Sequence, residues 1–472
     1  MIATSLEDNE QVKEQDIEKL KLGCKVYQES GTNPVTISVV LPTFNNGNQE
    51  YIKTMLMIMR KIGKLIDRGA VDELVIADGS RDENGQPDSE FIKFMLALCI
   101  KHCKTFAKEV EFVRGMPDGK QKSMEGRFDF SVRFMSQLDS LLHKIYLDHK
   151  LLTEEEIEFL KKGKGAGLWH AIPVTYGDIL CFVDSDIKSF RKFYVGGLCK
   201  PILDTWKSDY KSRVCDPEIV FTKAVYTRKN ETPDGFKFGG RLERVGMRPL
   251  FRMLSKMGHF KGLEDIKYHV SGECAFAIDT LKSIRFSNGY DIETSVLCQL
   301  WKQFGVDRIA QVDLGIYQHI PGSEDHVMDM MGEVASALKY WTEEYGIRLD
   351  VEGLANEYAK EAYEMPEEYW NKALGMEGFT YNSRDRQRDA KRIDEFKEIL
   401  KKAWKKAEKP KLLHSWKEME ERANSEKGYS YQNLKMSLRK RINKFTSNII
   451  LSSIYIDKSD DIIRKYSGVH GP

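Results

Sequence analysis

From residue 35 onward, hydrophobic positions alternate between short continuous runs and helical spacing. VTISVVL (Val35–Leu41) and ELVIA (Glu73–Ala77) are apolar blocks of strand length. Residues 50–67 and 91–106 carry apolar positions at helical period, and a third strand is predicted near Val110–Val113. Short apolar strands separated by amphipathic helices predict a parallel sheet covered on both faces. Ligands of such sheets bind beyond the C-terminal strand ends. Residues 116–162 break this rhythm and read as a helical insertion in a loop, its second helix opened by Thr153 and Glu156 at capping-box spacing. The pattern then predicts a helix around Leu168–Thr175 and strands at Asp178–Val183 and Glu218–Tyr226. A loop rich in Gly, Lys and Arg (Lys229–Arg244) follows, then a strand at Glu273–Ile278, a helix over Ile292–Phe304 and a strand at Ile309–Ile316. Beyond about residue 336 only charged helices are expected, interrupted at Pro366 and Pro410. Residues 1–34 read as a polar helical arm, so the expected division is 1–34, 35–335 and 336–472.

Composition narrows the class. The 472 residues exceed the ~250–300 at which single cores stop growing. A net charge of +1 argues against a globally basic nucleic-acid binder. The acidic first residues lack a secretory signal, and the apolar runs fall short of the ~20 residues of a membrane span. The eight cysteines form no CxxC pair, which disfavours a zinc site or disulfide framework and fits a cytoplasmic location. The basic runs KKAWKKAEKPK and LRKRINK read as solvated helix faces.

The most informative segment is GDILCFVDSDI (Gly177–Ile187), an apolar strand that ends in two aspartates. The strand period puts Asp184 and Asp186 on one side, where their charges repel unless a cation or donor-rich ligand intervenes. A hard divalent cation bridging to a diphosphate resolves the conflict and neutralises a departing nucleotide diphosphate. A DxD phosphatase would carry Thr or Val two residues on, where this chain has Lys188. Two further strand-end loops, LPTFNNGNQ with Pro42, Thr43 and Asn46, and ADGSRDENG with Asp78, suit a base and ribose. Lys164 lies in the glycine-rich GKGKGAGLW, which lacks the P-loop pattern but can approach a phosphate. Arg241 follows Gly239 and Gly240 at a helix start, an arrangement suited to an anion. Asp291 and Glu293 fall near a helix start, and His319 follows a strand as a possible imidazole ligand.

In this order the segments resemble glucosyl-3-phosphoglycerate synthase, a retaining glycosyltransferase of GT-A fold. The resemblance runs over about Val35–Pro321, outside the insertion at 116–162, and is carried by SVVLP, the DGS loop, GKG with LW, DILCFVDSD, GGR with RPL, SGE, GY with Ile-Glu, and IAQVDLGI with its later His. It implies metal binding by Asp186 and His319 and donor contacts by Asp184, Ser185 and Lys164. It implies further that Tyr290 and Glu293 lie at the sugar and that Gly240 and Arg241 bind the acceptor phosphate. The implied reaction moves glucose from UDP-glucose to 3-phosphoglycerate with Mg2+ or Mn2+, in a homodimer, making a compatible-solute precursor or polysaccharide primer. The alternatives are a mannosyl donor or another acceptor, and a non-catalytic nucleotide-sugar-binding scaffold. The chain departs from the family at Asn46, Ala77, Glu243, Tyr317 and Pro321. A carboxylate at 243 beside a phosphate would be repulsive, an expectation that bears on the acceptor.

Overall fold

A computed structural model describes residues 3–5 and 35–452, apart from 46, 118–127, 207, 210–213, 216, 234, 321–322, 407–410 and 426–429. Its main strands are β1 (Ala3–Ser5), β2 (Ile37–Thr43), β3 (Glu73–Asp78), β4 (Val132–Ser136), β5 (Ile179–Phe182), β6 (Phe221–Thr232), β7 (Gly235–Phe238), β8 (Cys274–Ala277) and β9 (Ile309–Tyr317). The chain forms two compact units, 9–222 with 273–284 and 413–472, and 1–8 with 223–272 and 285–412. This partition does not follow the expected boundaries at 34 and 335.

The first, α/β unit is built on parallel pairing of β4 with β3, β3 with β2 and β2 with β5, with β8 antiparallel beside β5. Every residue of β3 and β5 is buried, which explains their continuous apolar runs. β4 corrects the reading of 116–162 as a loop insertion, since Val132–Ser136 is a buried strand in register with Leu74–Asp78. A charged residue hid it: Arg133, fully buried, pairs with buried Glu73 and donates to the Val174 carbonyl at 2.6 Å. The helices Ser140–Asp148 and Glu154–Leu160 are present, the second with the Thr153–Glu156 capping box.

The strand expected at Val110–Val113 is instead helix Lys104–Arg114. Phe106, Val110 and Val113 are its buried residues, spaced four and three apart, the period of a helix rather than a strand. Asp67, at the end of helix Gln49–Asp67, accepts from the Lys104 and Thr105 amides at 3.1 and 2.8 Å and fixes that helix start. Cys103 caps it in extended conformation, and Cys99 and Cys103 are buried free thiols.

The C-terminal segment belongs to this unit. Trp416 stacks on Trp169 at 4.5 Å, and each indole donates to a backbone carbonyl of the other segment. Helix Tyr431–Ser452 covers β4: Thr446 accepts from the Phe134 amide at 3.0 Å, and Arg441 forks onto Asp139 with two bonds of 2.7 Å.

In the second unit β1 pairs in parallel with β9, so Ala3–Ser5 is strand where a helical arm was expected. The rest of that arm, 6–34, lies outside the described residues. The expected Lys229–Arg244 loop is largely a hairpin, with β6 running on to Thr232 and pairing Lys229 with Phe238. Its turn contains Pro233 and Gly235, a signal the sequence carried. The helices Glu324–Glu344, Val351–Ala362, Met365–Leu374 and Ser383–Lys405 complete this unit. Pro366 sits in a first turn, where its missing N–H costs nothing, and Pro410 lies outside the described residues.

Candidate functional site

In the α/β unit the loops after β2, β3 and β5 carry the expected donor-side residues. Asp78 ends β3 and accepts from Thr43 Oγ1 at 2.9 Å and Ser80 Oγ at 2.7 Å. Burial raises the Asp78 carboxyl to about 6 against the opposing pull of these hydrogen bonds. Ser80 also accepts from the Asn45 amide at 2.7 Å, tying the first loop to the second. Pro42 is a half-buried β2 residue paired with Ala77. Asn46 lies outside the described residues.

Tyr51 joins these loops to the acidic strand end. Its hydroxyl lies 2.8 Å from Ser185 Oγ and accepts from the Phe44 amide at 3.1 Å. Burial first, then the charges of Asp186 and Asp78, push this phenol well up, while those hydrogen bonds oppose. Sequence reasoning missed both Tyr51 and Ser80. Tyr51, in the first turn of helix Gln49–Asp67 behind the Asn48 cap, could have been flagged as facing the loop.

Lys164 opens helix Lys164–Ala171, earlier than the predicted start near Leu168. Gly165 and Gly167 are therefore helical, and Gly163 at φ 88 is the N-cap. That cap offers no side-chain acceptor to the first helix amides. The Lys164 ammonium stands 2.7 Å from Asp184 Oδ1, with both side chains partly exposed at 18 and 25%. Gln137 donates to the Leu160 and Gly163 carbonyls at 3.2 Å and steadies the turn before the helix. The Lys164–Asp184 pair joins the start of this helix to the segment that follows β5.

The remaining candidates are in the second unit. Arg241 follows Gly240, whose φ of 65 and contact with Tyr268 exclude a side chain. Arg241 Nη1 lies 2.6 Å from Glu324, which Arg392 grips through Nη2 at 2.6 Å and Nε at 3.0 Å. Hydrogen bonds from Arg392 and then Arg241 pull the Glu324 carboxyl down to about 2. Arg392 continues to Asp389 at 2.6 Å, and Asp389 to buried Arg244 at 2.8 and 2.9 Å. An alternating ladder of charge thus runs from Arg241 into helix Ser383–Lys405.

Glu243 does not occupy the place expected for it. It is 1% exposed in a π-helical turn and accepts from the His269 amide at 2.7 Å and His269 Nδ1 at 2.9 Å. The carboxylate is turned into the core, so the anticipated repulsion of an acceptor phosphate does not arise from it. Tyr290 is 41% exposed, its ring against His326 at 4.8 Å and its amide on Glu333 at 2.7 Å. Glu293 lies in the first turn of helix Ile292–Phe304, after Asp291, whose carboxyl burial raises to about 7. His319 follows β9, its ring 6.1 Å from that of Tyr317.

Asp186 and His319 belong to different units. Among the described residues no group of three or more His, Cys, Asp or Glu side chains converges. Among the same residues no helix is long and apolar enough to cross a membrane.

A parallel strand core whose loops carry Asp78, Ser185, Asp186 and the Lys164–Asp184 pair places the protein in the α/β class, with its polar groups at the C-terminal strand ends. Within that class, the chain resembles the glucosyl-3-phosphoglycerate synthases. The enzyme of that name from Petrotoga mobilis is 32% identical over 195 residues, 40% of this chain and 54% of the relative. The chain thus spans about half the length of that relative. The Mycobacterium tuberculosis synthase is 26% identical over 309 residues, covering 64% of this chain and 72% of the relative. No family model matches the chain. A crystal structure of the M. tuberculosis synthase with Mn2+, UDP-glucose and phosphoglyceric acid aligns at TM-score 0.45 and 24% identity over 71% of this chain and 85% of that one. Another, with Mg2+ and UDP, aligns at TM-score 0.47. Likenesses this loose assign no residue.

Proposed function

We propose that the protein transfers a hexosyl group, glucose first of all, from UDP-glucose or a similar donor to a small anionic acceptor such as 3-phosphoglycerate. The observation that supports this most is the Lys164–Asp184 pair beside Asp186 at the end of β5, in a chain whose curated relatives carry that activity by name. Asp78, buried among Thr43 and Ser80, would read the nucleoside. Lys164 and the amides of its helix start would hold the diphosphate.

A Mg2+ or Mn2+ ion, for which Asp186 and His319 are the candidate ligands, would supply charge neutralisation to the leaving diphosphate. Arg241, preset by Glu324, would orient the acceptor anion, while Tyr290 and Glu293 would orient the sugar. The acceptor hydroxyl would attack from the face the diphosphate leaves, which retains the anomeric configuration. A cytoplasmic homodimer making a compatible-solute precursor or polysaccharide primer completes this reading, on the resemblance alone.

The deciding experiment is a matrix of nucleotide sugars against phosphorylated and unphosphorylated glycerate, with and without Mn2+. Metal-dependent release of UDP that requires a phosphorylated acceptor is expected. No turnover of any donor in the matrix would refute the proposal.

A further inference from the structure

Helix Lys164–Ala171 starts without a cap of its own, since Gly163 has no side chain to accept from its first amides. A helix start of this kind frays unless something outside it holds the preceding turn. Gln137, 5% exposed and one residue past the end of β4, supplies that hold. Its side-chain NH2 donates to both the Leu160 and the Gly163 carbonyl, each at 3.2 Å. Its backbone amide donates to the Asp78 carbonyl at 2.8 Å, which carries the β3–β4 pairing one residue beyond the strand. Its own carbonyl lies 3.0 Å from Nε2 of buried His143. Because a carbonyl only accepts, that ring nitrogen carries the proton. Burial lowers the His143 pKa and keeps the ring neutral.

Two glycines make room for the Gln137 side chain. A Cβ on Gly79, in the loop after β3, would stand 3.1 Å from Gln137 Oε1, and one on Gly167, in the helix, 3.2 Å. One amide is therefore wedged between the segment that carries Asp78 and the helix that opens with Lys164. An apolar side chain of the same length would fill the space but would hold neither segment in register with the other.

We propose that Gln137 is a positioning residue of the donor site, setting the spacing between Asp78 and Lys164. The inference rests on the transferase reading above, in which Asp78 reads the nucleoside and Lys164 holds the diphosphate. Misplacing one end relative to the other penalises a ligand that spans both and spares a ligand that uses one.

Titration of the full chain with uridine and with UDP, each in Mg2+, tests this. In Gln137→Met, UDP affinity should fall ~10-fold while uridine affinity stays within ~2-fold of the parent. Amides 160–167 should exchange with solvent faster than in the parent, and thermal melting checks that the variant is folded. Gly167→Ala is the milder variant: alanine suits a helix interior, but its methyl presses on the Gln137 amide. It should bind UDP ~2–3-fold more weakly with no loss of thermal stability. A folded Gln137→Met protein with unchanged UDP affinity, or with equal losses for uridine and UDP, would overturn the proposal. So would a Gly167→Ala protein that binds UDP as the parent does. Failure of the transferase reading would look different: the parent would bind neither uridine nor UDP, while amides 160–167 still exchanged faster in Gln137→Met. The donor role of Gln137 would then fall with that reading.

Discussion

The two units organise charge in contrasting ways. In the α/β unit the candidate groups stand at the C-terminal ends of parallel strands, within a few residues of an apolar run, and each is fixed by neighbours on the adjoining loop. In the second unit the charges come from positions as distant as 228 and 372 and are organised by one another, through the ladder from Arg241 to Arg244 and a cavity that Arg228 and Lys372 both line. A strand end determines where a carboxylate sits whatever the rest of the chain does. A cavity or ladder exists only after several helices have packed, so its energetics are those of the tertiary core.

That contrast can be broken most sharply at Asp186. Asp186→Ala should lower kcat by ~10^3-fold or more with no loss of thermal stability, since the residue is a half-exposed strand-end group. UDP release assays and melting curves check both parts, and near-normal kcat would contradict the assignment.

The ladder should show the opposite signature. Asp389→Ala strands buried Arg244 and should cost about 3–5 kcal/mol of stability by urea denaturation, while UDP affinity, read in the folded population, stays within about 2-fold of the parent. A loss of UDP affinity matching the loss of stability would erase the distinction between the units.

Glu243→Thr removes the carboxylate at a position where the chain departs from the synthases it resembles. The buried amide and ring nitrogen of His269 would lose their acceptor, so stability should fall by about 1–3 kcal/mol. The preference for phosphorylated over unphosphorylated acceptor should not change. An improved acceptor KM without destabilisation would mean that Glu243 faces the ligand after all.

The smallest effect sharpens the donor side. Burial raises the Asp78 pKa to about 6 in the folded protein, above the ordinary carboxylate value of 3.8. The folded state therefore binds the proton more tightly, and this group's contribution to stability falls as pH rises from about 4 to about 6. Relative to wild type, Asp78→Asn should gain up to about 2–3 kcal/mol of stability between pH 4 and pH 7. Urea melts at the two pH values measure it, and a flat difference would remove the buried-charge interpretation.

These expectations also mark how much was legible beforehand. The strands β2, β3 and β5, the helix Ile292–Phe304 and the carboxylates at the β5 end follow from local pattern, because period and strand-end polarity are properties of ten residues at a time. β4 was not legible: Arg133, its second residue, disguises a buried strand, and Glu73, sixty residues away in sequence, makes that charge tolerable. Helix Lys104–Arg114 was misread because the four residues VEFV at 110–113, three of them apolar, fit either period until the spacing from Phe106 is counted.

By itself the sequence determined the α/β alternation, the acidic end of β5 and the glycine turn before Arg241, all encoded within single short segments. Tertiary structure alone decided that Glu243 turns inward to His269, that Trp416 and helix Tyr431–Ser452 pack on the α/β unit, and that Lys372 joins Arg228 at one cavity. The physical reason is range: backbone period and local hydrogen bonding act between neighbours in the chain, whereas burial and charge convergence depend on neighbours in space.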